Sequence, residues 1–178
     1  MTDGHAFDFV ELRARIVAAA VVAYDEISAR QTQDPLRAFA LYSDAGAMTV
    51  RPAMATASYL AHVRDDEDSA YYTYSPSEWP LEGEGAQTEF TAICAWLREH
   101  LSDLEQPAFV RFRDALMRCC VESARELRLG HFANLGDDFL LLVTVSDEDE
   151  PAQTLNARVA ALNSARVAAE FAEWSGSW

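Results

Sequence analysis

The segment 139–145 restricts the fold of this 178-residue chain more than any other stretch of its sequence. Its seven residues, Phe-Leu-Leu-Leu-Val-Thr-Val, are apolar at every position but one. Successive side chains of a strand point to opposite faces of a sheet, so a strand of this kind is stable only when neither face meets water. The sequence therefore predicts a central strand that is covered by protein on both faces.

Helices are predicted where apolar residues recur at helical spacing behind a capping residue. The first follows Asp8, whose carboxylate can accept hydrogen bonds from the first turn, and continues to about Arg30. Its many alanines favour close packing against a sheet or a second helix. Further helices are predicted over 56–63, 86–104 and 107–129, and from 151 onward with a break near 163–164.

Three more strands are predicted from β-branched and aromatic residues between turn residues. Leu36–Ser43 and Met48–Arg51 flank the turn 44–47 and are expected to form a hairpin. Pro52 is expected to end the second of these strands, because proline lacks the backbone N–H that a sheet requires. Tyr71–Tyr74 is the third predicted strand, since aromatic and β-branched residues favour extended structure.

The resulting order of elements, α-β-β-α-β-α-α-β-α, predicts one α+β domain over residues 1–178. We expect a largely antiparallel sheet of about four or more strands packed against long helices. The longest apolar run, 16–24, is well short of the ~20 residues that a membrane span requires. Acidic residues precede this run, where a secretory signal would carry positive charge, so we expect a soluble cytoplasmic protein.

Several catalytic classes are excluded or disfavoured by residue type. All 14 basic residues are arginine, which excludes every mechanism that needs a lysine amine, such as a pyridoxal-phosphate Schiff base. The three cysteines, Cys94, Cys119 and Cys120, have no C-x-x-C spacing and are expected to be buried free thiols. None of the four histidines lies in a catalytic spacing. We therefore predict no catalytic residue and no cofactor, and leave open whether the protein is an enzyme.

The net charge of −15 is distributed unevenly along the chain. Residues 61–105 carry a net charge of −9 and residues 136–178 carry −6, whereas residues 106–135 carry +2. An acidic field of this size repels nucleic-acid phosphates and accelerates encounter with basic partners. The alternative is that the acidity serves only to keep the protein soluble.

The basic region coincides with the predicted helix over 107–129. Its arginines are a candidate anion or carboxylate site, since guanidinium groups bind such anions in a bidentate manner. The alternative is a solvated face whose arginines pair with acidic residues of the same helix. That interpretation predicts three pairs: Asp114–Arg118, Arg118–Glu122 and Glu122–Arg125.

Aromatic and acidic residues supply the candidate partner-binding sites. Tyr72, Tyr74 and Trp79 lie close together in the sequence, and tyrosine and tryptophan are favoured interface anchors. Asp65 and Asp66, together with Asp147 and Asp149, are candidates for steering a basic partner toward the protein.

Structural roles are the alternative for these same residues. Trp79 is then a core residue beneath the loop at 83–85, and Glu78 completes a capping box that begins at Ser75.

Aspartates gathered beyond strand ends are also ligands that Mg²⁺ and Ca²⁺ prefer. Since Asp65–Asp68 and Asp147–Asp149 have no metal-binding spacing, we predict no metal site.

Four segments carry a resemblance to a known family: 39–44, 49–53, Tyr74–Trp79 and Val145–Asp147. In this order the chain resembles an uncharacterised bacterial family called domain of unknown function 4303, over about its middle two-thirds. The resemblance implies a shared fold and a bacterial cytosolic setting. It implies no activity, cofactor or catalytic residue.

The leading hypothesis is a non-enzymatic acidic module that binds a basic protein partner. Toxin-neutralising immunity proteins are a bacterial class of similar size and acidity, and the comparison rests on that analogy alone. The alternative is a small-ligand or anion-binding protein, or an enzyme, with a pocket between the sheet and the helices. A third hypothesis is a homodimer formed through a sheet edge or the alanine-rich first helix.

Overall fold

In the computed structural model, which describes residues 7–102, 104–147 and 150–177, four strands form one mixed sheet. They are β1 (Leu36–Ser43), β2 (Arg51–Thr56), β3 (Leu81–Glu82) and β4 (Leu140–Val145), in the spatial order β3-β2-β1-β4. β2 is antiparallel to both β1 and β3, whereas β1 and β4 are parallel. Two of the three pairings are antiparallel, so the predicted α+β domain with a largely antiparallel sheet is confirmed.

Seven α-helices in the described residues cover this sheet. They are α1 (Phe9–Arg30), α2 (Ala57–Val63), α3 (Ser69–Tyr74), α4 (Gln87–Leu101), α5 (Gln106–Leu129), α6 (Ala152–Leu162) and α7 (Ala165–Ser175). A 3-10 turn, Pro76–Glu78, follows α3. None of the helices in the described ranges is both long and apolar enough to cross a membrane.

Local capping explains why several of these helices begin where the sequence predicts. The Asp8 carboxylate accepts hydrogen bonds from the backbone N–H groups of the first turn of α1, at 2.9 and 3.0 Å. The Thr56 hydroxyl caps α2 in the same way. The predicted break at 163–164 is confirmed, since α6 ends there and the Ser164 hydroxyl caps α7.

Alternation along the strands divides the interior into two cores. On the first face, Phe39 and Met54 pack with α1, α4 and α5. On the second face, Ala38 and Ala40 pack with α6 and α7 and with residues of α2 and α3. The small alanine side chains allow these helices to approach the sheet closely. The three cysteines are buried and free, as predicted.

β4 is covered on both faces, as predicted, but its predicted central position in the sheet is wrong. Leu141 and Val143 belong to the first core and Leu142 to the second. However, β4 is an edge strand that pairs only with β1. Helix α6 contributes Val159 to the second core and Leu162 to the first, so both cores continue across the outer side of β4. A strand at an edge is thereby as apolar as a central strand.

The side chain of Asn163 replaces a neighbouring strand along this edge. Its Oδ1 accepts a hydrogen bond from the Leu141 N–H at 2.8 Å, and its Nδ2 donates to the Leu141 carbonyl at 2.7 Å. Nδ2 also donates to the carbonyl of Val159 at 3.0 Å. Arg128 donates to the Phe139 carbonyl at 2.6 Å and to Asn163 Oδ1 at 3.3 Å. Polar groups that an edge strand would leave open are therefore satisfied.

Two predicted strands differ from the structure. The predicted strand Tyr71–Tyr74 is wrong, since these residues form most of helix α3. Helical spacing turns Tyr71 and Tyr74 toward the same side, and this tertiary packing outweighs their preference for extended structure.

The predicted strand Met48–Arg51 is also wrong. β2 begins at Arg51 and continues through Pro52, whose carbonyl accepts from Gly83 N–H at 2.8 Å beyond the end of β3. The backbone nitrogen of Pro52 therefore faces the side of the short strand β3. Its lack of an N–H removes no hydrogen bond between β2 and β1.

Asn163→Ala tests the role of this side chain at the β4 edge. We expect the free energy of unfolding to fall by about 2–4 kcal/mol, because the Leu141 N–H and carbonyl lose their partner in a buried setting. Urea denaturation measures the change, with the exposed Asn134→Ala as the matched control. A loss for N163A no larger than that for N134A would contradict this role.

Candidate functional site

A pocket of about 380 Å³ lies at the carboxyl ends of the parallel strands β1 and β4, on the second face of the sheet. Helices α3, α6 and α7 and the 3-10 turn form its other walls. We call it the tyrosine pocket, and its principal lining residues are Tyr42, Tyr71, Tyr74, Glu150, Phe171 and Trp174. Its volume lies within the range of small-ligand sites, roughly 300–1,000 Å³.

Each tyrosine of this pocket lies beside a carboxylate. The Tyr42 hydroxyl donates a short hydrogen bond to Glu82, and the Tyr71 hydroxyl donates to Glu78 Oε1 at 3.1 Å. Burial, followed by the hydrogen bond and the charge of Glu82, raises the pKa of Tyr42 well above its usual value. The hydrogen bond to Glu78 is the main cause of the raised pKa of Tyr71.

The third tyrosine, Tyr74, belongs to an aromatic cluster. Its ring meets Phe171 edge-on, with centroids 5.0 Å apart, and lies tilted by 30° against Trp174 at 5.4 Å. Burial raises the pKa of Tyr74, and the charge of Glu170 adds to this effect. The aromatic rings of all three tyrosines lie on the pocket wall.

Glu150 is the acidic side chain that lines the pocket itself. It is only 11% exposed and pairs with Arg158 at 2.7 Å, while its second oxygen accepts from the Val145 N–H at 3.1 Å. Arg158 does not line this pocket, and neither does any other arginine or histidine among the described residues. Among the described residues, the pocket lining thus combines aromatic rings with one carboxylate, that of Glu150, and contains no arginine or histidine.

Of the three predicted aromatic anchors, only Tyr74 lines the pocket. Tyr72 is half-buried beside Tyr71, with ring centroids 5.4 Å apart. Trp79 is 2% exposed, and its indole N–H donates to the Tyr72 carbonyl at 3.2 Å. The side chain of Trp79 therefore offers no surface to a partner in this conformation. The predicted capping box does not form, because the Glu78 carboxylate binds Tyr71 and leaves the 3-10 turn without a side-chain cap.

The predicted steering aspartates are dispersed. Asp65 and Asp66 are exposed in the loop between α2 and α3, outside the lining of the tyrosine pocket. Asp147 follows directly after the pocket residue Ser146, and its carboxylate accepts from the Ala45 N–H at 2.7 Å. Asp149 lies outside the described residues. Within the described ranges, no three histidine, cysteine or acidic side chains form a group that could hold a metal ion.

The three predicted pairs within α5 are wrong, since none of them forms an ion pair among the described residues. Glu122 and Glu126 turn toward Arg13 of α1 instead, at 3.4 and 3.6 Å. Arg118 and Arg125 consequently have no ion-pair partner among the described residues. Both border an open groove between α5 and α6, on the opposite side of Glu150 from the tyrosine pocket.

Sequence reasoning missed Tyr42, Glu150 and Trp174 as pocket residues. Tyr42 lies two residues after the small Ala40, so both side chains point to the second face. This spacing was the one local signal for the direction of the Tyr42 side chain. Its partner Glu82 is 40 residues away in the chain. Trp174 follows Phe171 at helical spacing, but nothing in the sequence shows that this helix packs against Tyr74.

A family model described as a domain of unknown function, DUF4303, matches residues 16–164. The chain belongs to this family. No curated protein and no solved structure shows significant similarity to it. Three of the segments that carry the resemblance in sequence contribute residues to the tyrosine pocket, namely Tyr42, Tyr74–Ser77 and Val145–Ser146. In this DUF4303 protein, three of the segments that carry the resemblance therefore line one cavity.

Glu82→Gln tests the electrostatics of the pocket. We expect the pKa of Tyr42 to fall, because an ionised phenol no longer meets a carboxylate charge. The raised pKa makes the folded protein favour the neutral phenol, so this contribution to stability is complete below the usual tyrosine pKa of about 10. This contribution is lost as the pH rises above that value. The resulting fall in the free energy of unfolding should be smaller in E82Q than in the wild-type chain.

Absorbance of the ionised phenol, followed between pH 8 and 12, measures this change. Glu84→Gln is the matched control, since Glu84 carries the same charge two residues away and pairs with Arg30 at 3.7 Å. Superimposable titrations of E82Q and E84Q would show that Glu82 does not control Tyr42.

Proposed function

We propose that this DUF4303 protein is a non-enzymatic module that binds a basic protein partner in the bacterial cytosol. On this proposal, an arginine or lysine side chain of the partner enters the tyrosine pocket. The observation that supports this proposal is the composition of the pocket: three tyrosines beside carboxylates, a lining glutamate and, among the described residues, no arginine or histidine.

The aromatic wall supports recognition of a cation. A guanidinium or ammonium group is attracted to the face of an aromatic ring within about 6 Å of its centroid, more strongly where water is excluded. Tyr74 and Trp174 offer such rings beside one another. Tyr71 is more exposed and lies at the entrance, where Glu78 holds its hydroxyl.

The charge of the whole chain supports the same partner. A net charge of −15 attracts a basic protein over distances longer than a contact and raises its association rate. The proposed steering residues are Asp65 and Asp66 at the α2–α3 loop, Asp147 next to the pocket residue Ser146, and Asp149. The same field opposes binding to nucleic acid. Immunity-like neutralisation of a basic toxin is one function of this kind.

The size of the pocket favours a second candidate, a small cationic ligand in place of a protein side chain. A volume of about 380 Å³ is enough for an arginine side chain or for an amine of similar size. This candidate predicts that a free amine binds as tightly as a protein that carries the same group. The first candidate predicts much tighter binding of the protein, because its surface adds further contacts.

Ser77→Arg tests the use of the pocket. Ser77 is exposed and lines the pocket, so an arginine at this position places the protein's own cation in it without disturbing the core. Ser102→Arg adds the same charge at an exposed serine outside the pocket lining. Each variant and the wild-type chain are immobilised and used to capture proteins from a lysate of the native host, at low and high salt.

We expect the wild-type chain and S102R to retain a basic protein at low salt and to release it at high salt. S77R should retain less of it by about tenfold or more, since a like charge occupies the site. Equal retention by S77R and S102R would contradict a role for the pocket. A captured partner that is not basic would contradict the proposed partner class.

A further inference from the structure

We propose that the protein has a second binding site, which takes a phosphate group, in a cavity that lies on the other side of Tyr74. This cavity is bordered by the beginnings of β1 and β4 and by α2, α3 and α7. We call it the arginine cavity, since three arginines from separate elements line it: Arg37, Arg64 and Arg166. Its volume is about 760 Å³.

Two of these arginines are available to a ligand. Arg37 on β1 and Arg64 after α2 are exposed, and neither forms an ion pair within the part of the chain that the structure describes. Other arginines, such as Arg118 and Arg125 of α5, also lack an ion-pair partner among the described residues. Arg37 and Arg64 differ from that pair because they line one cavity from two separate elements.

The third arginine is held in place by its own partners. Arg166 pairs with Asp138 and with Glu170, the latter at 2.6 Å. These are the acidic residues that line the cavity, and both are engaged by Arg166. Arg166 and its two acidic partners together carry a net charge of −1, so with Arg37 and Arg64 the cavity lining carries a net charge of +1.

The remaining polar groups match a phosphate. Ser69 and Thr73 line the cavity from α3 with half-buried hydroxyl side chains that can donate hydrogen bonds. Two guanidinium groups and two hydroxyls supply hydrogen-bond donors for the several acceptor oxygens of a phosphate monoester. A long polyanion is disfavoured by the net charge of the chain, whereas a single phosphate enters a concave site close to its arginines.

The two pockets are opposite in character although Tyr74 lines both. The lining of the proposed phosphate site does not include Glu78, Glu82 or Glu150, so either proposal can fail while the other stands. S77R, which blocks the tyrosine pocket, should leave the response to phosphate unchanged.

Thermal unfolding at constant ionic strength tests the site, with inorganic phosphate, phosphoserine and ribose 5-phosphate as separate probes. The variants are Arg37→Gln and Arg64→Gln. Arg98→Gln is the matched control, because Arg98 is an exposed arginine of α4 outside the cavity lining. Each variant is compared with its own Tm in chloride, so a change in basal stability does not affect the result.

We expect the Tm of the wild-type chain, S77R and R98Q to rise saturably by about 2–4 °C at a probe concentration about tenfold above Kd. R37Q and R64Q should lose most of this rise. A larger effect of either ester than of inorganic phosphate identifies an esterified ligand, and an equal effect identifies the phosphate group alone. A rise in R37Q and R64Q equal to that in R98Q, or no saturable rise in the wild-type chain, would overturn the proposal.

Discussion

The side chain of Asn163 supports the outer edge of β4, and the positions of the last two helices depend on it. Because it binds both backbone polar groups of Leu141, β4 can end the sheet without a further strand. Helix α6 then covers this edge, with Val159 and Leu162 in different cores. The chain turns at Asn163, so α7 returns across the second face and brings Trp174 to the tyrosine pocket. One amide thus links the closure of the sheet to the formation of the site.

Acidic and basic side chains of this acidic protein concentrate on different parts of its surface. Glu150 lines the tyrosine pocket, and Glu78 and Glu82 bind two of its tyrosines. The cavity on the other side of Tyr74 is lined by three arginines and two carboxylates. In α5, Glu122 and Glu126 turn to Arg13 of α1, and the exposed Arg118 and Arg125 have no ion-pair partner among the described residues. Net charge describes how the protein meets a partner at a distance, and these local arrangements determine which chemical group each surface binds.

Features with a local cause were predictable from the sequence, and features with a distant cause were not. The cap at Asp8 and the apolar pattern of β4 are written in neighbouring residues, and both were predicted correctly. The edge position of β4 depends on Asn163, which is more than 20 residues away from the strand residue that it binds. Tyr71–Tyr74 was predicted as a strand from the intrinsic preference of its residues, but packing of the aromatic side chains outweighs this preference and the segment lies in helix α3. The tyrosine pocket likewise depends on pairs such as Tyr42–Glu82, which only the folded sheet brings together.

A comparison of two matched probes tests most directly whether the tyrosine pocket recognises a positive charge. N-acetyl-arginine amide and N-acetyl-citrulline amide have nearly the same shape, but only the first carries a charge. Two-dimensional ¹H–¹⁵N NMR of the whole chain follows the Trp174 indole and the backbone amides of Ser75 and Ser77. We predict saturable shifts of these signals with the arginine probe and little change with the citrulline probe. Equal shifts with both probes, or shifts confined to other parts of the protein, would contradict the account.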